Sequence, residues 1–339
     1  MLDHHAQRDK PLYKVGMIKK HFPVLGGVLR RTKGHVKALD GVDLEIYRGE
    51  TISVIGESGC GKTTLGRMLA LLDKPTDGAL SFDFGSGLQD VTNLKGEDQM
   101  KFRKKVQMIF QDPYTSFNPR QRVGAAMDEV LRVHGVKDPE ERAARINEAC
   151  EMVNIQPQYL NRYPHEFSGG QRQRLAIARC LATKPELIIA DEIVSALDVS
   201  IQAQIVNLLL KIQRETGLSF VFVTHDVAVA RYVGNRVAVM YLGNVVEILP
   251  AESLPSAAEH PYTIALLSAV PSMNPKAKDH RVVLQGEVPS PIDMPTGCAF
   301  SSRCPAVMDI CKIERPTLRI SNISQGEHLV ACHLNNGEK

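Results

Sequence analysis

Apolar residues recur along this chain in two rhythms. Leu12-Tyr13-Lys14-Val15 and Leu44-Glu45-Ile46-Tyr47 alternate with period two, so residues 11–55 are expected to form an antiparallel β segment. Later runs read as strands buried on both faces: Val106-Gln107-Met108-Ile109-Phe110, Leu187-Ile188-Ile189-Ala190 and Phe220-Val221-Phe222-Val223. Between them the spacing turns helical: Leu65, Met68, Leu69 and Leu72 follow one strand, and Leu175, Ala178, Leu181 and Ala182 precede another. A further helix is expected over residues 201–216. Strands alternating with helices predict an α/β fold whose core sheet is mostly parallel and covered on both faces.

The remaining segments fill in that outline. Two short strands and a helix are expected between the turn Pro75-Thr76-Asp77-Gly78 and residue 106. Residues 120–165 are helical and polar, and Pro139-Glu140-Glu141-Arg142 opens one helix with acids in its first turn. They read as a helical subdomain, about 112–166, inserted between two strands of the core sheet. A last hairpin turns at Gly243-Asn244. The basic insert Leu29-Arg30-Arg31-Thr32-Lys33-Gly34 reads as a solvated loop, and residues 1–10 as a polar, disordered start. Beyond Pro250, prolines at 255, 261, 271, 275, 289, 291 and 295 punctuate a loop-rich tail. The expected division is a main domain over 11–250 and a C-terminal extension over 251–339.

Chemistry concentrates first at Gly56-Glu57-Ser58-Gly59-Cys60-Gly61-Lys62-Thr63-Thr64, which fits the G-x-x-x-x-G-K-[ST] phosphate loop. The strand-like Thr51-Ile52-Ser53-Val54-Ile55 precedes it and a helical pattern follows, the context that the motif requires. The glycines let successive N–H groups curl around one anion, and the helix adds its positive dipole end. Lys62 is placed to reach the β- and γ-phosphates, and the Thr63 hydroxyl to hold Mg²⁺. Asp191 ends a buried strand and is placed to bind Mg²⁺ directly or through water; Glu192 can polarise an attacking water. Ser168-Gly169-Gly170-Gln171 opens a helix and offers a second anion-facing terminus.

Bulk composition narrows the class. The 339 residues are 23% charged and 43% hydrophobic, as in an ordinary globular protein, and a net charge of +3 argues against a dedicated nucleic-acid binder. No run of about 18 apolar residues suggests a membrane span, and Met1-Leu2-Asp3-His4-His5 lacks the apolar core of a signal peptide, so a cytoplasmic compartment is expected.

The order of the phosphate loop, Gln111, Phe167-Ser168-Gly169-Gly170-Gln171, Ile188-Ile189-Ala190-Asp191-Glu192, Ser195-Ala196-Leu197-Asp198 and His225 resembles the ATP-binding cassette family over about residues 12–250. The resemblance implies two cassettes meeting head to tail, with each ATP between one subunit's phosphate loop and the other's signature. It implies that Ser168 and Gly170 bind the partner's γ-phosphate and that Asp198 acts across the dimer. Gln111 would sense Mg²⁺ and the water, while His225 would contact the γ-phosphate and hold Glu192 in line. Phe167 in place of the commoner Leu, Ile193 in place of Pro, and Cys60 inside the loop depart from the pattern without removing a catalytic group. Cys60 is expected to confer sensitivity to thiol reagents when nucleotide is absent. An aromatic platform for adenine is expected at Phe22, Tyr13 or Tyr47; the family places it on a loop after the first strand, which favours Phe22.

A narrower resemblance is to the ATPases of dipeptide/oligopeptide importers, the F-type subunit among them. It rests on Lys20-His21-Phe22-Pro23-Val24, residues 36–42 and 111–119, Arg162-Tyr163-Pro164-His165 and His260-Pro261-Tyr262-Thr263. It implies an ATPase peripheral to the cytoplasmic face of the inner membrane. The expected partners are a D-type ATPase subunit, two transmembrane permease subunits that meet the region of Asp112-Pro113-Tyr114, and an extracytoplasmic binding protein. The same machine carrying nickel, opines or another small solute remains an alternative, as do a soluble non-transport cassette ATPase and a small P-loop kinase. Four of the seven cysteines fall at Cys298-x5-Cys304-x6-Cys311-x20-Cys332. Four thiolates suit zinc or an iron–sulfur cluster, or they are free. The spacing resembles the C-terminal [4Fe–4S] site of some dipeptide-importer ATPases.

Overall fold

A computed structural model describes residues 10–26, 31–112, 116–269, 282, 284–323 and 328–335. Two sheets organise them. Strands β1 (Pro11–Gly26), β2 (Arg31–Tyr47), β4 (Asp77–Asp83) and β5 (Leu88–Asp90) form an antiparallel sheet in the order β2-β1-β4-β5. Its inner face is apolar because the period-two pattern turns Tyr13, Val15, Leu44, Ile46, Leu80 and Phe82 to one side, where they are buried. Tyr13, Phe82 and Phe102 meet edge to face, with ring centroids 5.5–6.1 Å apart.

The second sheet has the order β11-β12-β10-β9-β3-β8-β7-β6. Its centre is β3 (Thr51–Ile55), between β8 (Ser219–Val223) and β9 (Arg236–Tyr241), with β7 (Leu187–Asp191) and β6 (Val106–Ile109) beyond β8, all parallel. Every residue of β3, β7 and β8 is buried, as expected for parallel strands sandwiched by helices. The faces carry α1 (Lys62–Leu69), α2 (Gly96–Lys105), α5 (Gly169–Leu181), α6 (Val199–Thr216) and α7 (Val227–Val233). Helices α3 (Val123–Val133) and α4 (Pro139–Met152) form the inserted helical part, and Asp138 caps α4 by accepting from the Glu140 N–H. Their buried faces, with Met127, Leu131, Ile146 and Cys150, continue into the core under α5 and α6.

Three features differ from the sequence expectations. The basic insert at 29–34 is not wholly a loop: from Arg31 it belongs to β2, and Thr32 pairs with Leu25 in a long ribbon. Thr32 and Lys33 remain exposed, so no buried face marks that stretch of strand. Helix α7 was not apparent in the pattern, being seven residues capped by Asp226. The tail also joins the core sheet. After β10 (Asn244–Pro250) and α8 (Pro261–Ser268), the chain runs through α9 (Asp309–Ile313) to β11 (Arg319–Ile320) and β12 (Leu329–Val330), and β12 pairs antiparallel with β10. Tyr262 and Phe300 of the tail are fully buried against Tyr241 of β9.

Candidate functional site

The phosphate loop leaves the carboxyl end of β3 and enters α1, the crevice where open α/β sheets bind ligands. Gly61 is the N-cap of α1 at φ 105°, and α1 carries no side-chain cap. A Cβ at Gly61 would collide with the Ala38 carbonyl, and one at Gly56 with the Met240 carbonyl, so both positions require glycine for space as well as φ. The Cys60 carbonyl accepts from Gly243 N–H at 2.8 Å, which ties the loop to the β9–β10 turn. Val36, Ala38, Ser58, Gly59, Gly61, Lys62, Thr63, Thr64, Gln111, Glu192 and Pro291 line a cleft of about 320 Å³.

The charged groups are already assembled around this cleft. Lys62 is buried, and its ammonium donates to the carbonyls of Gly56 at 2.8 Å and Glu57 at 3.0 Å. Thr63 Oγ1 donates to Asp191 Oδ1 at 3.2 Å, which brings two oxygen donors together where Mg²⁺ is expected. Burial pushes the Asp191 carboxyl up, as does neighbouring Glu192, against the pull of Thr63 and Lys62. A cation bound there would relieve that penalty. Glu192 has φ 48°, a left-handed conformation uncommon for a non-glycine residue, and its Oε2 accepts from Gln111 Nε2 at 3.1 Å. His225 Nδ1 lies 3.6 Å from the same oxygen, and its side chain is 61% exposed. The three expected catalytic side chains are therefore neighbours, brought together from the ends of β6, β7 and β8.

The signature lies elsewhere. Neither residues 168–171 nor Asp198 line the cleft. Ser168 caps α5 through a reciprocal box: its hydroxyl accepts from Gln171 N–H, and Gln171 Oε1 accepts from Ser168 N–H. Asp198 caps α6, accepting from Ile201 N–H at 3.0 Å and Ser200 Oγ at 2.7 Å, bonds that hold its carboxyl below the usual range. A Cβ at Gly170 would sit 2.7 Å from Ile201 Cγ2, and one at Gly169 3.7 Å from Leu197 Cδ2. The two helix N-termini thus share one patch, with Ser168, Asp198 and Val199 exposed.

The aromatic candidates separate clearly. Tyr13 is fully buried, and its hydroxyl donates to the Leu69 carbonyl. Tyr47 lies under the Arg236 guanidinium at 4.9 Å. Phe22 is 39% exposed and lies within β1 rather than on a loop, directly across from Val36, a wall residue of the cleft. The structure weighs against the expectation for Cys60: the thiol is 3% exposed and burial raises its pKa, both of which disfavour the reactive thiolate. Residues 113–115, expected at the membrane subunits, lie outside the described residues.

Two groups of tail residues reach the loop and were not anticipated. Arg303 pairs with Glu57, and the Tyr262 hydroxyl accepts from Glu57 N–H at 2.9 Å. Pro291 lines the cleft and accepts from Lys37 N–H at 3.0 Å. The only signal in the chain was the position of Arg303 beside Cys304 and of Tyr262 within His260-Pro261-Tyr262-Thr263. The four tail cysteines line a single small pocket, of about 10 Å³, with His260, Phe300 and His333. Burial raises the thiols of Cys298, Cys304 and Cys332, the last to about 11. Among the described residues no group of three or more His, Cys, Asp or Glu side chains is arranged to hold a metal ion. A zinc site needs four ligand atoms held about 2.0–2.3 Å from one centre, so the zinc reading finds no support here. The same finding leaves the iron–sulfur expectation without an arranged ligand set among the described residues, although the four thiols share that pocket.

Comparison with known proteins settles the family. The chain is 45% identical over 332 residues to AppF, an oligopeptide transport ATP-binding protein of Bacillus subtilis strain 168, covering 97% of this chain and 99% of that one. It is 43% identical over 331 residues to the dipeptide transport ATP-binding protein DppF of Haemophilus influenzae, covering 98% and 99%. The chain belongs to the ATP-binding cassette family. The ABC transporter description matches residues 39–195 of this cassette, and the oligopeptide/dipeptide transporter C-terminal region matches 246–311. Among solved structures, the dimeric cassette MJ0796 bound to ADP and Pi is similar at a TM-score of 0.61 and 31% identity, covering 71% of this chain and 99% of that one. No helix among the described residues of this cassette is long and apolar enough to cross a membrane.

Proposed function

We propose that this chain is the ATP-hydrolysing subunit that energises an importer of dipeptides or oligopeptides. One observation carries the reading: the phosphate cleft is furnished with Lys62, Thr63–Asp191 and Glu192–Gln111, while the signature sits apart on an exposed patch. That division supports a composite site, completed when a second cassette brings its signature over the loop. The names of the relatives support peptide as cargo.

In this reading the loop N–H groups and Lys62 hold the β- and γ-phosphates. To do so Lys62 exchanges its two carbonyl partners for phosphate oxygens. Thr63, Asp191 and Gln111 hold Mg²⁺, which would neutralise charge on the transferring phosphoryl group. Glu192 takes the proton of the attacking water, and His225 steadies the γ-phosphate and Glu192. Ser168, Gly170 and Asp198 serve the partner's nucleotide, and Phe22 stacks on adenine. ATP binding closes the two cassettes and hydrolysis to ADP and phosphate reopens them.

The partner cassette is a D-type subunit. Two permease subunits dock at the region of residues 112–114, an extracytoplasmic binding protein delivers cargo, and the complex places this chain on the cytoplasmic face of the inner membrane. In a reconstituted complex, Lys62→Ala is expected to abolish peptide uptake together with hydrolysis at this half-site. Undiminished uptake would mean that the partner's site alone powers transport. For the tail, Cys298, Cys304, Cys311 and Cys332, which line one small pocket, are the thiols that would ligate a [4Fe–4S] cluster. Iron and sulfide in anaerobically purified protein, lost in Cys311→Ser, test this; protein devoid of both ends it.

A further inference from the structure

Glu57 is an acidic residue at the start of a cradle built for anions, and the tail occupies two of its polar groups. Arg303 reaches it with a bidentate fork, Nη1 to Oε2 at 3.0 Å and Nη2 to Oε1 at 3.3 Å. The Tyr262 hydroxyl accepts the Glu57 backbone N–H, and the Glu57 carbonyl accepts from Lys62 Nζ. The tail side of this contact is rigid. Arg303 is 9% exposed, and its N–H donates to the Phe300 carbonyl at 3.0 Å. Phe300, Tyr241 and Tyr262 are buried and packed ring on ring, at centroid distances of 4.6–5.5 Å.

We propose that Arg303 and Tyr262 are positioning residues for nucleotide, through which the C-terminal extension sets the affinity of the phosphate loop for ATP. Two physical effects combine. The fork and the tyrosine fix the peptide of Glu57, one residue before Ser58 in the cleft wall. The guanidinium also cancels a carboxylate that would otherwise repel the triphosphate across a partly buried, low-dielectric gap. Arg303 directly precedes Cys304, which lines the cysteine pocket. The proposal rests on the reading of this loop as an ATP site.

The test is an equilibrium titration of the full-length chain with Mg-ATP, using Lys62→Ala as the reference for a broken site. Arg303→Met is expected to weaken binding about tenfold, the scale of one charge-assisted hydrogen bond. In steady-state hydrolysis by the assembled complex, KM for ATP should rise with kcat within about twofold, the signature of lost uniform binding. The decisive variant is Glu57→Gln/Arg303→Met. With the stranded charge removed, it should bind better than Arg303→Met alone, a recovery that a purely structural role of Arg303 does not produce. Arg303→Lys keeps the charge but loses the fork, and should fall between Arg303→Met and the natural chain. Tyr262→Phe should weaken binding by a few-fold, about the size of one neutral hydrogen bond. Unchanged affinity in Arg303→Met, or a double variant no better than it, overturns the proposal. If Arg303→Met does not fold, Arg303→Lys decides: natural affinity there overturns it. If the natural chain binds no ATP, the reading of the loop itself has failed.

Discussion

The phosphate loop and the signature each present a helix N-terminus, and they treat it in opposite ways. At α1 the N-cap is Gly61, with no side-chain cap, and the surroundings are packed: Lys62 and Asp191 are buried, and Ala38 and Met240 leave no room for a Cβ at Gly61 or Gly56. At α5 the N-cap is Ser168, closed by its reciprocal bonds with Gln171, and the residue is exposed. A helix terminus has backbone donors that need partners. The first terminus holds its donors for a ligand inside a shaped cleft. The second satisfies two N–H groups through its own side chains, and in the composite site proposed above it would exchange one of those internal bonds for a phosphate oxygen of the partner's nucleotide. In the composite site proposed above, one half would thus be built in and the other kept in reserve.

Glu192→Gln attacks the built-in half and should have the largest effect. The substitution keeps the shape and the left-handed backbone but removes the carboxylate proposed above to accept the water's proton. Hydrolysis should fall by roughly 10²–10⁴-fold, the usual worth of a general base. Nucleotide affinity should be unchanged or tighter, because the carboxylate that faces the phosphates is gone. Single-turnover hydrolysis alongside equilibrium binding checks both parts. A loss of binding equal to the loss of rate would show that Glu192 serves the loop's shape and not the proton.

Ser168→Ala attacks the reserved half and should separate the two regions. In the isolated chain it should cost about 1 kcal/mol of stability, the price of an N-cap, and leave Mg-ATP binding at the loop untouched. In the assembled complex it should slow hydrolysis at the partner's phosphate loop, by about tenfold for one lost phosphate contact. Thermal unfolding of the monomer and site-specific hydrolysis in the complex provide the two readouts. A drop in the monomer's own ATP affinity would mean that the signature serves its own chain, and the composite picture would fail.

The built-in half was legible in the sequence because its parts are local. Strand, glycine-rich turn and helix lie within residues 51–69, and a buried strand ending in Asp191-Glu192 announces itself by apolar residues meeting two acids. The meeting of Gln111, Glu192 and His225 required the order of the motifs, since only the parallel alignment of β6, β7 and β8 brings their ends together. What escaped were contacts of long sequence separation with no pattern of their own. Arg303 and Glu57 lie 246 positions apart, and neither stands out from other surface charges. The strand beyond Arg31 escaped because a two-stranded ribbon with exposed side chains has no buried face to impose alternation. The burial of Cys60 comes from the fold around it, which spacing does not encode.

Charged pairs fasten the antiparallel sheet to the core that carries both regions. Glu186 precedes β7 and pairs with Lys105 at 2.5 Å and with Arg48 at 2.6 Å, while Arg48 also reaches Asp83 of β4. Burial alone would push the Glu186 carboxyl up, but Lys105 and Arg48 outweigh it and hold it below the ordinary range. A carboxylate with a depressed folded pKa contributes stability that is fully present above its unfolded value, about 4.3, and is lost as pH falls through the folded value. Glu186→Gln should therefore be less stable than the natural chain at neutral pH by about 0.5 kcal/mol, since Arg48 and Lys105 are a third or more exposed and solvent screens the pairs. The gap should close as pH drops below about 4, where the natural carboxylate also takes a proton. Denaturant midpoints measured at neutral and acid pH test the sign. A gap that persists unchanged in acid would assign the effect to packing around residue 186 and not to its charge, leaving the link between β4 and the core to apolar contacts alone.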